Sequence, residues 1–215
     1  MQSKINYQLE TDRLLKALPA DRVPVLFLHA CCAPCSSYVL EYLSQYFAIT
    51  LFFYNPNIAP EEEYLHRKAE LKRLVQTMPL SHPVTILDGD YAPERFYALA
   101  KGLEQEPERG ARCQKCIGHR LEESFRAAAM QTPAPDFVCT TLTISPHKDA
   151  VWINTRGAEL AQQYGIPWLY TDFKKKGGYQ RSIALSREYD LYRQNFCGCV
   201  YSRLEAERRE QQHNS

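Results

Sequence analysis

Apolar and polar residues in this chain keep two rhythms that take turns. Short unbroken apolar runs stand at 23–29 (VPVLFLH), 48–54 (AITLFFY), 84–87, 137–141 and 167–170. Runs of that length without polar alternation predict strands buried on both faces. Between them, helical spacing recurs at 36–46, 60–76, 93–101, 114–130 and 149–164. The second of these carries its own start signals. Pro60 suits a first helical position, and Glu61, Glu62 and Glu63 complement the positive end of the helix dipole. Residues 102–111 are charged and predict an exposed loop. From about 179 to 209 the pattern is helical again, with a break at Cys197-Gly198-Cys199.

Strand alternating with helix is the mark of βαβ units. The expected fold is α/β: a mostly parallel sheet flanked by helices, a three-layer sandwich like that of HUP/PP-loop proteins, with a helical C-terminal part. No repeat, low-complexity segment or linker divides it. The expected organisation is an N-terminal arm at 1–22, one α/β domain at 23–209 and a polar tail at 210–215. Ligands of such sheets bind beyond the carboxyl ends of the strands, at a switch in strand order. Cys31, Cys32 and Cys35 follow the first predicted strand, and Asn55 and Asn57 the second. Asp88 and Asp90 follow the third, and Ser145-Pro146-His147 the fourth. These residues are expected to converge on one edge of the sheet.

With 215 residues the chain can bury a full core without disulfide staples. Its net charge of +1 provides no global field for nucleic acid, so such binding would need local patches. No run of ~18 apolar residues is present, and the first residues lack the apolar stretch of a signal peptide. A cytoplasmic protein without membrane contact is expected. In that compartment, closely spaced cysteines read as metal ligands or redox thiols.

Seven of the eight cysteines fall in three tight groups: Cys31-Cys32-Ala-Pro-Cys35, Cys113-x-x-Cys116 and Cys197-Gly-Cys199. The Cys-x-x-Cys spacing serves zinc and iron–sulfur clusters alike. Cys31 and Cys32 can face one centre only through a turn, which Ala33-Pro34 supplies. Cys197 and Cys199 are close enough for a strained, reducible disulfide, and equally able to bind metal. Zinc remains open on spacing alone. Cys139, alone in an apolar run, reads as a buried hydrophobe.

His147 lies in a strand-end loop and is a candidate proton donor or a plain surface histidine. His29 is a candidate second support for the cysteines or a satisfied core histidine. The run Lys174-Lys175-Lys176-Gly-Gly-Tyr179-Gln-Arg181 can hold phosphates and stack a base, or form a solvated charged face. Arg112, Arg120 and Arg126 are expected to extend that basic surface. No GxGxxG, no GxxxxGK[ST] and no Cys-x3-Cys-x2-Cys is present, so no bound nucleotide is expected.

Six segments together resemble the QueH family, the cobalamin-independent epoxyqueuosine reductases: HACCAPC at 29–35, FYNPN at 53–57, RCQKC at 112–116, TTLTISPH at 140–147, FKKKGG at 173–178 and YRQNFCGC at 192–199. The resemblance runs over 23–201. It implies reduction of epoxyqueuosine to queuosine at the tRNA wobble position, the last step of queuosine synthesis, without cobalamin. It further implies a [4Fe-4S] cluster on Cys31, Cys32, Cys113 and Cys116. Cys197 and Cys199 would be a redox-active pair or, with Cys35, candidate ligands of an additional mononuclear iron. The implied partners are the tRNA anticodon loop and an external one-electron donor. A zinc-bound, non-catalytic RNA-binding module and a metal-free thiol–disulfide oxidoreductase are the competing readings.

Overall fold

The computed structural model describes residues 5–213. Four parallel strands form one sheet: β1 (Val25–Ala30), β2 (Ala48–Phe53), β3 (Val84–Asp88) and β4 (Phe137–Thr140), in the order β3-β2-β1-β4. Strands 1 to 3 step outward in one direction, and β4 then pairs with the other side of β1. The strand order therefore reverses at β1/β4, where a crevice opens beyond the carboxyl ends.

The apolar runs explain both covering layers. Side chains alternate sides along a strand. Leu26, Leu28 and Ala30 of β1 join one core with Leu40, Leu43 and Leu71, while Phe27 joins the other with Leu121, Phe125 and Leu160. The first core is roofed by α2 (Ala33–Leu43), α3 (Glu61–Thr77) and α7 (Gly178–Glu188). The second is roofed by α5 (Ala111–Ala129) and α6 (Ala150–Tyr164). The expected α/β sandwich with a parallel sheet is the observed one.

Three elements differ from the sequence reading. A fifth strand at 167–170 does not form; Trp168 makes only an isolated parallel bridge to Val138. Pro167 has no N–H for a ladder, and the segment's backbone bonds to β4 are Val138 N to Pro167 O and Leu169 N to Val138 O. The arm at 1–22 holds a helix that the strand-and-helix reading passes over, α1 (Tyr7–Lys16), whose Tyr7, Thr11 and Leu15 share one buried face. The C-terminal helical stretch is interrupted over 189–199, well beyond the expected break, before α8 (Val200–His213). Asp190 and Gly198 adopt positive φ there, and α3 side chains satisfy the irregular backbone. Arg73 donates to the carbonyls of Tyr189 and Asp190, Glu70 accepts from Tyr192 N, and Arg67 donates to Cys197 O.

Helix α2 starts at Ala33, three residues before its expected start, because Pro34 fits the first turn. Helix α5 likewise starts before its expected position, so Cys113 lies in its first turn. Helix α4 (Pro93–Ala100) agrees with expectation. Residues 214–215 of the expected tail lie outside the described residues, and 210–213 continue α8. Among the described residues, no helix is long and apolar enough to cross a membrane.

Candidate metal–thiolate site

At the end of β1 the chain turns at Cys32, whose backbone is extended and which caps α2 without a side-chain bond. The turn brings Cys31 Sγ and Cys32 Sγ to 3.8 Å. Cys35, in the first turn of α2, completes a trio with all three sulfurs within 4.8 Å of one another. Among the described residues this is the one group of three or more metal-ligating side chains so close together.

The trio opens on a cleft of about 410 Å³ over the β1/β4 crevice. The 3₁₀ turn Thr141–Ile144 and the loop to Lys148 form one wall, and residues 193–197 form another. Behind it lies a narrow pocket lined by Cys113, Cys116, Cys197 and Cys199. Cys197, Glu108, Arg120 and Lys148 line both spaces. The three cysteine groups thus open onto two adjoining cavities. Cys113 and Cys116 do not join the sulfur trio. Cys139 lies apart in the core, with its thiol against Leu169 O and Thr171 Oγ1.

Gly198 separates Cys197 from Cys199 at φ 127°, and a Cβ there would stand 2.9 Å from Ile58 Cγ1. Only glycine serves this turn. Its two neighbours face different partners. Cys197 Sγ accepts from Lys148 Nζ at 3.3 Å, whereas Cys199 Sγ contacts Ser202 N and Oγ, both at 3.4 Å. Both are free thiols.

The thiols are not equivalent. Cys32 is held well below the usual thiol range by hydrogen bonds from Cys31 and Cys35, with Arg67 adding its charge. The same sharing pushes Cys31 up to about 11 and raises Cys35. Burial raises Cys113, and pushes Cys116 up to about 12. A ligand role for these two requires a metal to displace their protons.

Four cations are buried around the cavities. Arg67 pairs with Glu63 at 2.7 Å, Arg112 with Glu205 at 3.3 Å and Lys148 with Glu108 at 3.3 Å. Arg120 has no carboxylate partner among the described residues. Its Nη1 donates to Asn55 Oδ1 at 3.1 Å, and its Nε is buried without an acceptor. Arg112 and Arg120 therefore do not extend a basic surface; Arg126 is the exposed member of that set. The signal lay in the helix period. Residues 112, 116 and 120 are spaced i, i+4, i+8 and share the buried face of α5.

Other expected residues separate. His147 is exposed at the cleft rim, with Nδ1 3.5 Å from Arg109 Nη2. Its neighbour Lys148, not singled out from the sequence, points inward. Tyr179 lines the cleft. Lys174 pairs with Asp172, Lys176 with Asp12 and Arg181 with Glu41, while Lys175 is exposed. His29 is wholly buried between Thr140 Oγ1 and Tyr54 O. Asn55 and Asn57 are buried, and Asn57 lines the inner pocket. Asp88 does not converge on the site: β3 is an edge strand, and Asp88 pairs with Lys68 and Lys72.

A parallel α/β sheet with cysteines from three remote segments around its switch point defines a thiol-centred protein built for metal or redox chemistry. The comparisons with known proteins narrow that class. Residues 26–205 match the family model described as epoxyqueuosine reductase QueH. A protein of that name from Streptococcus pyogenes is 40% identical over 202 residues, 93% of this chain and 78% of the relative. One from Haemophilus influenzae is 42% identical over 180 residues, 82% of this chain and 71% of the relative. One from Thermotoga maritima is 33% identical over 186 residues, 84% and 91% of the two chains. This chain belongs to the epoxyqueuosine reductase QueH family and is an oxidoreductase.

Proposed function

We propose that this chain reduces epoxyqueuosine to queuosine in the anticodon loop of tRNA. The reaction opens an epoxide to an alkene, consuming two electrons and two protons and releasing the oxygen as water. The observation that carries the reading is the arrangement of seven thiols around two adjoining cavities at the switch point of a chain of this family.

The donor set suits iron, since thiolates are its ligands in clusters. The buried guanidinium of Arg120 beside these sulfurs fits an anionic centre and would be ill placed among neutral thiols. In this reading Cys31, Cys32, Cys113 and Cys116 hold a [4Fe-4S] cluster. Cys35, Cys197 and Cys199 remain to bind a further iron or, for the last two, to work as a redox pair. When bound, the cluster supplies electrons one at a time, received from an external donor.

The chain's own groups do the rest. The cleft walls exclude water from the reacting bond. Lys148 Nζ holds a proton inside, between Cys197 Sγ and Glu108 Oε1. His147 at the rim relays protons from solvent toward it. Tyr179 on the cleft wall stacks the splayed base, which costs little to extrude from a single-stranded loop. Lys175 meets the phosphate backbone, while paired Lys174, Lys176 and Arg181 hold the shape of that loop. A tRNA substrate places the reaction in the cytoplasm.

Mass analysis of tRNA nucleosides from cells lacking this protein tests the reading. Epoxyqueuosine should accumulate and disappear on complementation. Colourless protein that carries zinc and leaves epoxyqueuosine-containing tRNA unchanged would end it.

A further inference from the structure

Arg120 is a large charged side chain, 2% exposed, with no carboxylate among the described residues paired to its charge. It lies on the buried face of α5 with Ile117 and Leu121, and it shares its cavities with Glu108 and Lys148, which pair with each other. A guanidinium stays protonated in proteins, so this is a fixed positive charge inside the molecule. Such a charge is strongly unfavourable unless something anionic stands near it. The other three buried cations at the site each have their acid.

What stands near Arg120 is sulfur. It lines both the cleft of Cys31, Cys32 and Cys35 and the inner pocket of Cys113 and Cys116. Burial opposes its charge, and the sulfurs of Cys116, Cys197, Cys31 and Cys113 outweigh that opposition only as thiolates. Cys116 is one helical turn before it on α5, so backbone geometry keeps the two together. The anchor Asn55 ties the guanidinium to the end of β1, because Asn55 Nδ2 donates to Ala30 O at 2.8 Å. The guanidinium is thus fixed between the two halves of the cysteine constellation, with Nε–H unspent.

We propose that Arg120 is the resident counter-charge of a metal–thiolate centre formed by the cysteines around it, a positioning residue that sets how tightly metal is held and how readily the centre takes an electron. The proposal rests on the reading of these thiols as metal ligands. A bound metal makes the thiolates permanent and gives Arg120 its missing anion. In return the cation lowers the energy of the negative centre, and more so after reduction adds an electron. Groups that orient and charge-balance metal ligands commonly alter metal affinity by about 10- to 100-fold.

The test compares wild type with Arg120→Met, which keeps bulk without charge, and Arg120→Lys, which keeps charge without the fork. Cobalt(II) titration of the apoprotein, followed by the sulfur-to-cobalt charge-transfer band, reads affinity without turnover. Arg120→Met should weaken cobalt binding by about tenfold or more, and Arg120→Lys should stay within about threefold of wild type. In iron-reconstituted protein, the reduction potential of Arg120→Met should be more negative than wild type. Wild-type affinity and potential in Arg120→Met overturn the proposal. So does an Arg120→Lys protein as impaired as Arg120→Met, since geometry and not charge would then be at stake. Should Arg120→Met fail to fold, Arg120→Gln, uncharged but polar, takes its place, with the same loss of cobalt affinity expected and wild-type affinity overturning the proposal. Failure of the tRNA reaction with an intact cobalt difference would sink the functional reading and leave this one standing.

Discussion

Lys148 Nζ stands 3.3 Å from Cys197 Sγ and 3.3 Å from Glu108 Oε1. Its side chain is 7% exposed. Burial opposes the ammonium, but Cys197, Glu108 and Cys113 reverse that effect and raise its pKa. A proton is therefore held on nitrogen where the cleft meets the inner pocket. Lys148→Met should lower the single-turnover rate on epoxyqueuosine-containing tRNA by about 10²-fold, with tRNA affinity nearly unchanged. A rate within a factor of two of wild type would remove Lys148 from the chemistry.

Cysteines at the site and in the core should answer differently to substitution. Cys116→Ala removes a thiol from the inner pocket, and reconstituted protein should lose iron absorbance and activity together. Cys139→Ala empties only a small core position. It should cost about 1 kcal/mol in urea unfolding and keep both iron and activity. Iron lost from Cys139→Ala would contradict the assignment of that thiol to packing.

Asp136 ties the loop before β4 to the start of β1. Its carboxylate accepts from Val25 N at 2.8 Å and from both terminal nitrogens of Arg22. The Arg22 hydrogen bonds, opposed by partial burial, hold its pKa below the usual carboxylate range. The folded value lies below the unfolded one of about 3.9. The stabilisation is therefore present above that pH and fades as pH falls through the depressed value. Arg22 is mostly exposed, so the pair is worth little beyond the backbone bond. Asp136→Asn should cost about 1 kcal/mol at neutral pH. Denaturant unfolding repeated below pH about 4 should find the gap to wild type closing. A gap that widens there would contradict the assignment.

Gly157 on α6 faces the Trp168 indole. A Cβ at this position would come 2.3 Å from the ring, and the indole is pinned by its Nε1–H bond to Asn154 Oδ1 at 3.0 Å. Gly157→Ala must displace one or the other, costing about 1–3 kcal/mol. The thermal midpoint should drop, with a changed Trp168 emission. An unchanged midpoint would mean that α6 slides freely over the indole.

Local order was legible in the chain itself. Apolar runs marked the four strands: β1, β2 and β4 are largely buried and have little polar side to display, while β3 at the sheet edge is only partly covered. The start signal at Pro60, which stands as the N-cap of α3, and the glycine between Cys197 and Cys199 act within a few residues, and the structure keeps both. Cysteine spacing named the chemistry for the same reason: neighbours in sequence on one turn are neighbours in space. Tertiary packing decided what no single element contains. It put Cys35 beside Cys31 and Cys32 through the early start of α2. It turned Lys148 inward and left His147 on the rim. It reduced a fifth strand to one bridge, and it drew Asp88 away to an edge. It also buried Arg112 and Arg120, whose charge reads as surface until α5 is laid on the sheet. Burial and charge balance are sums over several elements at once, and they take their sign only when those elements meet.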